Sequence, residues 1–204
     1  MFRRLIVSCA AIFTLTVCAD ASILPFLASP PVDLGGGQFA FNYDIGVSGD
    51  ERLDPTATSG DSCFGGPCNP AGTFFTIYDI SGFVSASASA PGWTESTQAT
   101  GLTPFNIGIP DSGLPNVTFT YTGAVVDGPV DISGFQIIST VGGVMQGEFS
   151  SQATNNTTDL SGTTDFLFGS VSVPGTAVPE PAFAGVFLTV GLIGFGFARR
   201  RFGR

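Results

Sequence analysis

Between Gln38 and Val47 the apolar side chains fall on every second residue: Phe39, Phe41, Tyr43, Ile45 and Val47, with Asn42, Asp44 and Gly46 opposite them. A period of two sends alternate side chains to opposite faces of an extended chain, so the segment is a half-buried strand. The same alternation returns where Val117, Phe119 and Tyr121 interleave with Thr118, Thr120 and Thr122. Further strands are predicted over residues 73–80, 83–90, 133–140, 144–151 and 165–173, punctuated by Ser-Gly, Gly-Pro, Pro-Asp-Ser-Gly and Asp-Gly-Pro turns. No sustained helical period occurs between the N-terminal segment and residue 182. The 28 glycines and 14 prolines fit a turn-rich chain, and no internal repeat of fixed period points to a β-helix. The pattern predicts an all-β fold, an antiparallel β-sandwich of jelly-roll or immunoglobulin-like type.

The chain contains no lysine and no histidine, and that absence removes whole classes of chemistry. Without imidazole or ammonium there is no Ser-His-Asp or Cys-His pair, no Schiff-base lysine and no histidine-ligated zinc. A phosphate cradle of the P-loop type is excluded too.

Both ends of the chain read as addresses. Residues 1–21 open with Met-Phe-Arg-Arg, run through an apolar stretch and close on Ala19-Asp20-Ala21, the small-residue pattern of a secretory signal peptide cleaved after Ala21. Thr16-Val17 before Cys18 places a branched residue where a lipoprotein signal wants a small one. At the other end, residues 182–198 form a run of seventeen without a charge, followed by Arg199, Arg200, Arg201 and Arg204. As a helix that run spans about 26 Å, just short of a hydrocarbon core of roughly 30 Å, so it crosses with little tilt. The arginines hold its C-terminus on the cytoplasmic side, leaving one C-terminal transmembrane helix and residues 22–177 outside. That exported part holds 14 of the 16 acids and a single base, Arg52, for a net charge of -13. Such a surface repels nucleic acid and anionic lipid.

Immediately before the apolar run stands Val178-Pro179-Glu180-Pro181. A Pro-Glu-Pro motif, a short hydrophobic helix and an arginine cluster, in that order, resemble the PEP-CTERM sorting signal, over residues 178–204. The resemblance implies a Gram-negative bacterium that makes exopolysaccharide. It also implies an exosortase, a membrane-embedded cysteine protease, that cuts near Pro179-Glu180-Pro181; this chain would be its substrate. The two prolines hold the approach extended and poor in hydrogen-bond donors, which suits presentation to a protease at the membrane surface. More loosely, Phe74-Phe75-Thr76-Ile77-Tyr78-Asp79, Ala90-Pro91-Gly92-Trp93 and the stretch from Pro115 to Gly123 resemble segments of a secreted domain recurrent in such proteins, to which no activity attaches.

Within residues 22–177 the candidate sites are few. Cys63 and Cys68, in Cys-Phe-Gly-Gly-Pro-Cys, are the only cysteines left after signal removal, and two thiols in an exported domain pair. Closing so small a loop stabilises by roughly 2 kcal/mol on the chain-entropy model. Zinc would need four ligands, and a redox motif would have two residues between the cysteines rather than four. The densest acidic stretch, Gly49-Asp50-Glu51-Arg52-Leu53-Asp54 with Asp61, is read as a solvated turn in which Arg52 partly neutralises its neighbours. Asp50, Glu51, Asp54 and Asp61 are the weak calcium candidates, lacking the Asp-x-Asp-x-Asp-Gly pattern; no other cofactor is expected. For catalysis only carboxylate pairs survive, with Glu51, Glu95 and Glu148 the sole glutamates of the domain, and no spacing singles out a pair. The serines from Ser85 to Ser89 and the threonines Thr118, Thr120 and Thr122 read as solvent faces of ordinary strands rather than ligand-binding ladders.

The expectation is therefore an exported, non-catalytic surface or matrix protein, a partner of exosortase and of exopolysaccharide. The alternative is a secreted carbohydrate-binding or carbohydrate-active protein using surface carboxylates. An exposed Trp93 with tyrosines beside two acids would favour the second, and a buried Trp93 would weaken it.

Overall fold

A computed structural model describes residues 23–56, 72–99, 103, 113–158 and 162–176. These residues form twelve strands: β1 Ile23–Leu27, β2 Val32–Gly35, β3 Gln38–Val47, β4 Glu51–Leu53, β5 Phe74–Ile77, β6 Phe83–Ala88, β7 Trp93–Gln98, β8 Asn116–Tyr121, β9 Val126–Asp127, β10 Val130–Ser139, β11 Val144–Asn155 and β12 Thr164–Pro174. All pairings are antiparallel. The first sheet runs β1-β3-β10-β6, with β2 sharing β1's edge of β3. The second runs β7-β8-β5-β11-β4-β9, with β12 along the other edge of β11. The all-β antiparallel prediction holds. No helix among the described residues is long and apolar enough to cross a membrane; the predicted signal peptide and C-terminal helix lie outside the described residues.

The two sheets face one another across one apolar core. From the first sheet come Phe41, Tyr43, Ile45, Phe135 and Ile137; from the second, Phe75, Trp93, Phe119, Tyr121 and Phe149. Phe135 meets Phe75, Trp93 and Phe119 edge-on, with ring centroids 5.0, 5.1 and 5.2 Å apart. Each such pair adds about 0.5–1.5 kcal/mol beyond the area that the rings bury. Hydrogen bonds tie the layers across the core: Tyr43 OH donates to the Ser172 carbonyl at 2.9 Å, and Ser151 Oγ donates to the Ile23 carbonyl at 2.6 Å. The chain crosses from β6 in one sheet to β7 in the other through Ala90-Pro91-Gly92-Trp93. Trp93 N donates to the Ala90 carbonyl at 3.2 Å, and Gly92 sits at φ 79°, where a Cβ would lie 2.9 Å from Gly123. Proline then glycine at the centre of the turn is the type II requirement, and it delivers Trp93 straight into the core.

One expectation fails on the outer face of the second sheet. Thr118 was expected to face solvent, yet it is buried together with Thr76, Ser150, Gln152 and Thr154. Only Thr122 of the threonine series is exposed. The buried face is polar but largely satisfied: Thr76 Oγ1 and Thr118 Oγ1 share a hydrogen bond at 2.8 Å, Tyr78 OH and Ser150 Oγ another at 2.7 Å, and Gln152 Nε2 donates to the Gly72 carbonyl at 2.7 Å. Alternation shows which residues share a face but not whether that face is covered. Ser85, Ser87 and Ser89 are exposed as expected.

Candidate functional site

Within the acidic stretch Gly49 and Asp50 make the expected turn, but the residues that follow are a strand rather than solvated loop. Glu51, Arg52 and Leu53 form β4, where Glu51 pairs in register with Asn155 and Arg52 with Thr154. Strand alternation therefore divides the charges. Leu53 belongs to the core, so Glu51, two residues earlier, faces inward and is fully buried, whereas Arg52 points the other way. Arg52 does neutralise a neighbour: its guanidinium lies 3.4 Å from Asp54, whose other oxygen accepts from Thr56 N and Thr56 Oγ1 at 2.9 and 2.8 Å. Asp50 accepts from Ser48 Oγ at 2.6 Å. Asp61 lies outside the described residues, and among those described no group of three or more acidic or cysteine side chains converges to hold a metal.

What the fold does bring together is Glu51 and Asp165. Asp165 pairs with Ala153 on β11, two residues from the Asn155 that faces Glu51, so both acids stand on the core side of the sheet at one end. Among the described residues no donor reaches either Glu51 oxygen. Burial first, then the hydrogen bond to Asp165 and its charge, then the charge of Asp50, push the Glu51 carboxyl up to about 9. At neutral pH Glu51 thus keeps its proton, while Asp165 accepts from Asn155 Nδ2 at 2.9 Å. No local spacing marks this pair, since 114 positions separate its members. Glu95 lies on the edge strand β7, where its Oε2 accepts from Ala88 N at 3.2 Å, and Glu148 lies on β11.

An open concavity among the described residues lies on the outer face of the first sheet. Cross-strand register sets Asn42, Gln136 and Ser87 in one row, and Asp44 and Ser133 in the next. The register of β10 shifts between Ser133 and Phe135, leaving Gly134 as an extra residue at φ 110°. Its carbonyl accepts from Ser89 N and Ser89 Oγ at 2.8 and 3.1 Å, and a Cβ there would lie 2.6 Å from that hydroxyl. A bulge bends its strand and re-aims the neighbouring side chains. Here it opens a groove of about 420 Å³ lined by Asn42, Asp44, Ser87, Ser89, Ser133 and Gln136. Gln136 Nε2 donates to Asn42 Oδ1 at 2.9 Å, which fixes both amides. Directly opposite Asp44 on β1 stands Phe26, 43% exposed.

Trp93 and all three tyrosines, Tyr43, Tyr78 and Tyr121, are buried. An aromatic platform built from them is therefore absent from the surface. Cys63, Cys68, the motif Val178, Pro179, Glu180 and Pro181, and Arg199, Arg200, Arg201 and Arg204 lie outside the described residues. Compared with protein-family models, with curated proteins and with solved structures, the chain finds no match.

Proposed function

We propose that this chain is an exported, non-catalytic surface or matrix protein, sorted by the PEP-CTERM route and associated with exopolysaccharide outside a Gram-negative cell. The fold is read as a β-sandwich ectodomain of jelly-roll or immunoglobulin-like kind, delivered by residues 1–21 and held by residues 182–198 until an exosortase cuts near residues 178–181.

One observation carries this reading. The described strands run from β1 at Ile23 to β12 at Pro174, and the two proposed processing positions, Ala21 and the motif from Val178, flank them in the sequence. Among the described residues, both cuts would leave every strand pairing and the core cluster intact. The buried Trp93 weakens the alternative, a secreted carbohydrate-binding or carbohydrate-active protein using surface carboxylates, as far as it rests on a tryptophan and tyrosine platform. Deleting the exosortase of the native host tests the proposal. The protein should then stay in the inner-membrane fraction with its C-terminal segment attached; release of a shortened product by the deletion strain would contradict it.

A further inference from the structure

We propose that the groove on the outer face of the first sheet is a binding site for a neutral saccharide, with Phe26 stacking on a sugar ring and Asp44, Asn42, Gln136 and Ser87 hydrogen-bonding its hydroxyls. This deepens the export reading, and rests on it only for where the protein meets polysaccharide.

The chemistry of the lining selects the ligand class. A pyranose shows hydroxyl edges, which both donate and accept, and C–H faces, which are apolar. The groove offers matching groups. Asp44 only accepts, the serine hydroxyls do both, and the Asn42–Gln136 hydrogen bond uses one donor and one acceptor, leaving Asn42 Nδ2 to donate and Gln136 Oε1 to accept. These groups sit on strands β3, β10 and β6 rather than on loops, and register holds them in rows. Phe26 supplies the apolar face beside them: residues directly opposite in an antiparallel ladder share a face, with Cβ atoms roughly 4.5–5.5 Å apart. An exposed phenyl ring next to a carboxylate and two amides is the arrangement that a ring of hydroxyls and C–H groups fits. The volume of about 420 Å³ lies in the ordinary range for small-molecule sites.

Other ligand classes fit less well. No basic side chain lines the groove, and the exported part carries -13, so phosphates, nucleic acids and polyuronates are repelled. A divalent cation wants six or more oxygen ligands including several carboxylates, and Asp44 is the one carboxylate in the lining.

Affinity electrophoresis of the full chain in lauryldimethylamine oxide, a detergent without a sugar headgroup, tests the proposal. The gels hold dextran, pullulan, galactomannan or hydroxyethylcellulose, with alginate as the polyanionic comparator. At least one neutral polymer should retard the protein. Phe26→Ala and Asp44→Asn should each weaken that retardation about tenfold, the scale of losing one stacked ring or one charged hydrogen bond. Val125→Ala, at an exposed position away from the groove, should leave it unchanged. Gln136→Ala gives an independent readout if the Phe26 variant folds poorly, as judged by circular dichroism. Absence of retardation by all four neutral polymers, retardation by alginate alone, or full affinity in the Phe26→Ala/Asp44→Asn double variant would overturn the site. None of these results depends on whether the chain is processed in its host.

Discussion

Glu51 and Asp165 stand on the core side of the two strands that flank β11, each held on the inward side of its strand by register, and the nearness of Asp165 helps keep the Glu51 carboxyl protonated. This makes stability depend on pH in a definite direction. The folded-state pKa of Glu51, about 9, is raised above that of an unfolded glutamate, so the folded chain keeps a proton that the unfolded chain gives up. The contribution is complete below about pH 4.5, falls as pH rises, and is lost once pH passes about 9. Glu51→Gln keeps the shape and a donor toward Asp165 without a titrating proton. The variant should show a shallower loss of stability between pH 5 and 8 in urea unfolding. At pH 8 it should exceed the wild type by roughly 1–3 kcal/mol. An identical pH slope in both proteins would contradict the pairing.

Phe135 touches three aromatic rings of the opposite sheet, and Phe135→Ala should destabilise by about 3–5 kcal/mol through the cavity it leaves. Trp93 is buried with its indole N–H unpartnered, so Trp93→Phe should cost much less than Trp93→Ala. Equal losses in equilibrium unfolding would show that the indole is not packed as described.

How much of this was legible beforehand differs by element. The bounds and inward face of β3 follow directly from the alternation of Phe41, Tyr43, Ile45 and Val47. β1 is hidden because Ile-Leu-Pro-Phe-Leu has no polar alternation and contains a proline, tolerated here because β1 is an edge strand. β7 carries one apolar residue, Trp93, followed by five polar ones, and the shortness and charge of β4 disguised it as a turn. The Glu51–Asp165 contact and the row from Phe26 to Ser133 arise from long-range register, which local periodicity does not encode.

Export should begin with cleavage after Ala21. Ile23 is fully buried and its carbonyl accepts from Ser151, so a cut beyond it would remove a core residue and an inter-sheet hydrogen bond. Edman sequencing of the mature protein should start at Ser22; a chain that still begins at Met1 would refute export by this signal.

Cys63 and Cys68 should be joined in the exported protein, since no other cysteine remains after signal removal. Alkylation of the denatured, unreduced protein should label neither, and labelling of both would rule the staple out.

On the proposed function, the C-terminal apolar run is a temporary anchor removed at the Pro179-Glu180-Pro181 motif. Replacing Glu180 with Ala leaves the apolar run and arginines intact, so the variant should still insert but be processed more slowly where the enzyme reads that carboxylate. Intact-mass measurement of the protein from its native host, with exosortase active, is the most direct test. The product should begin at Ser22 and end near Val178 to Pro181; a steady-state mass that includes the tail through Arg204 would refute processing and leave a permanent single-span anchor.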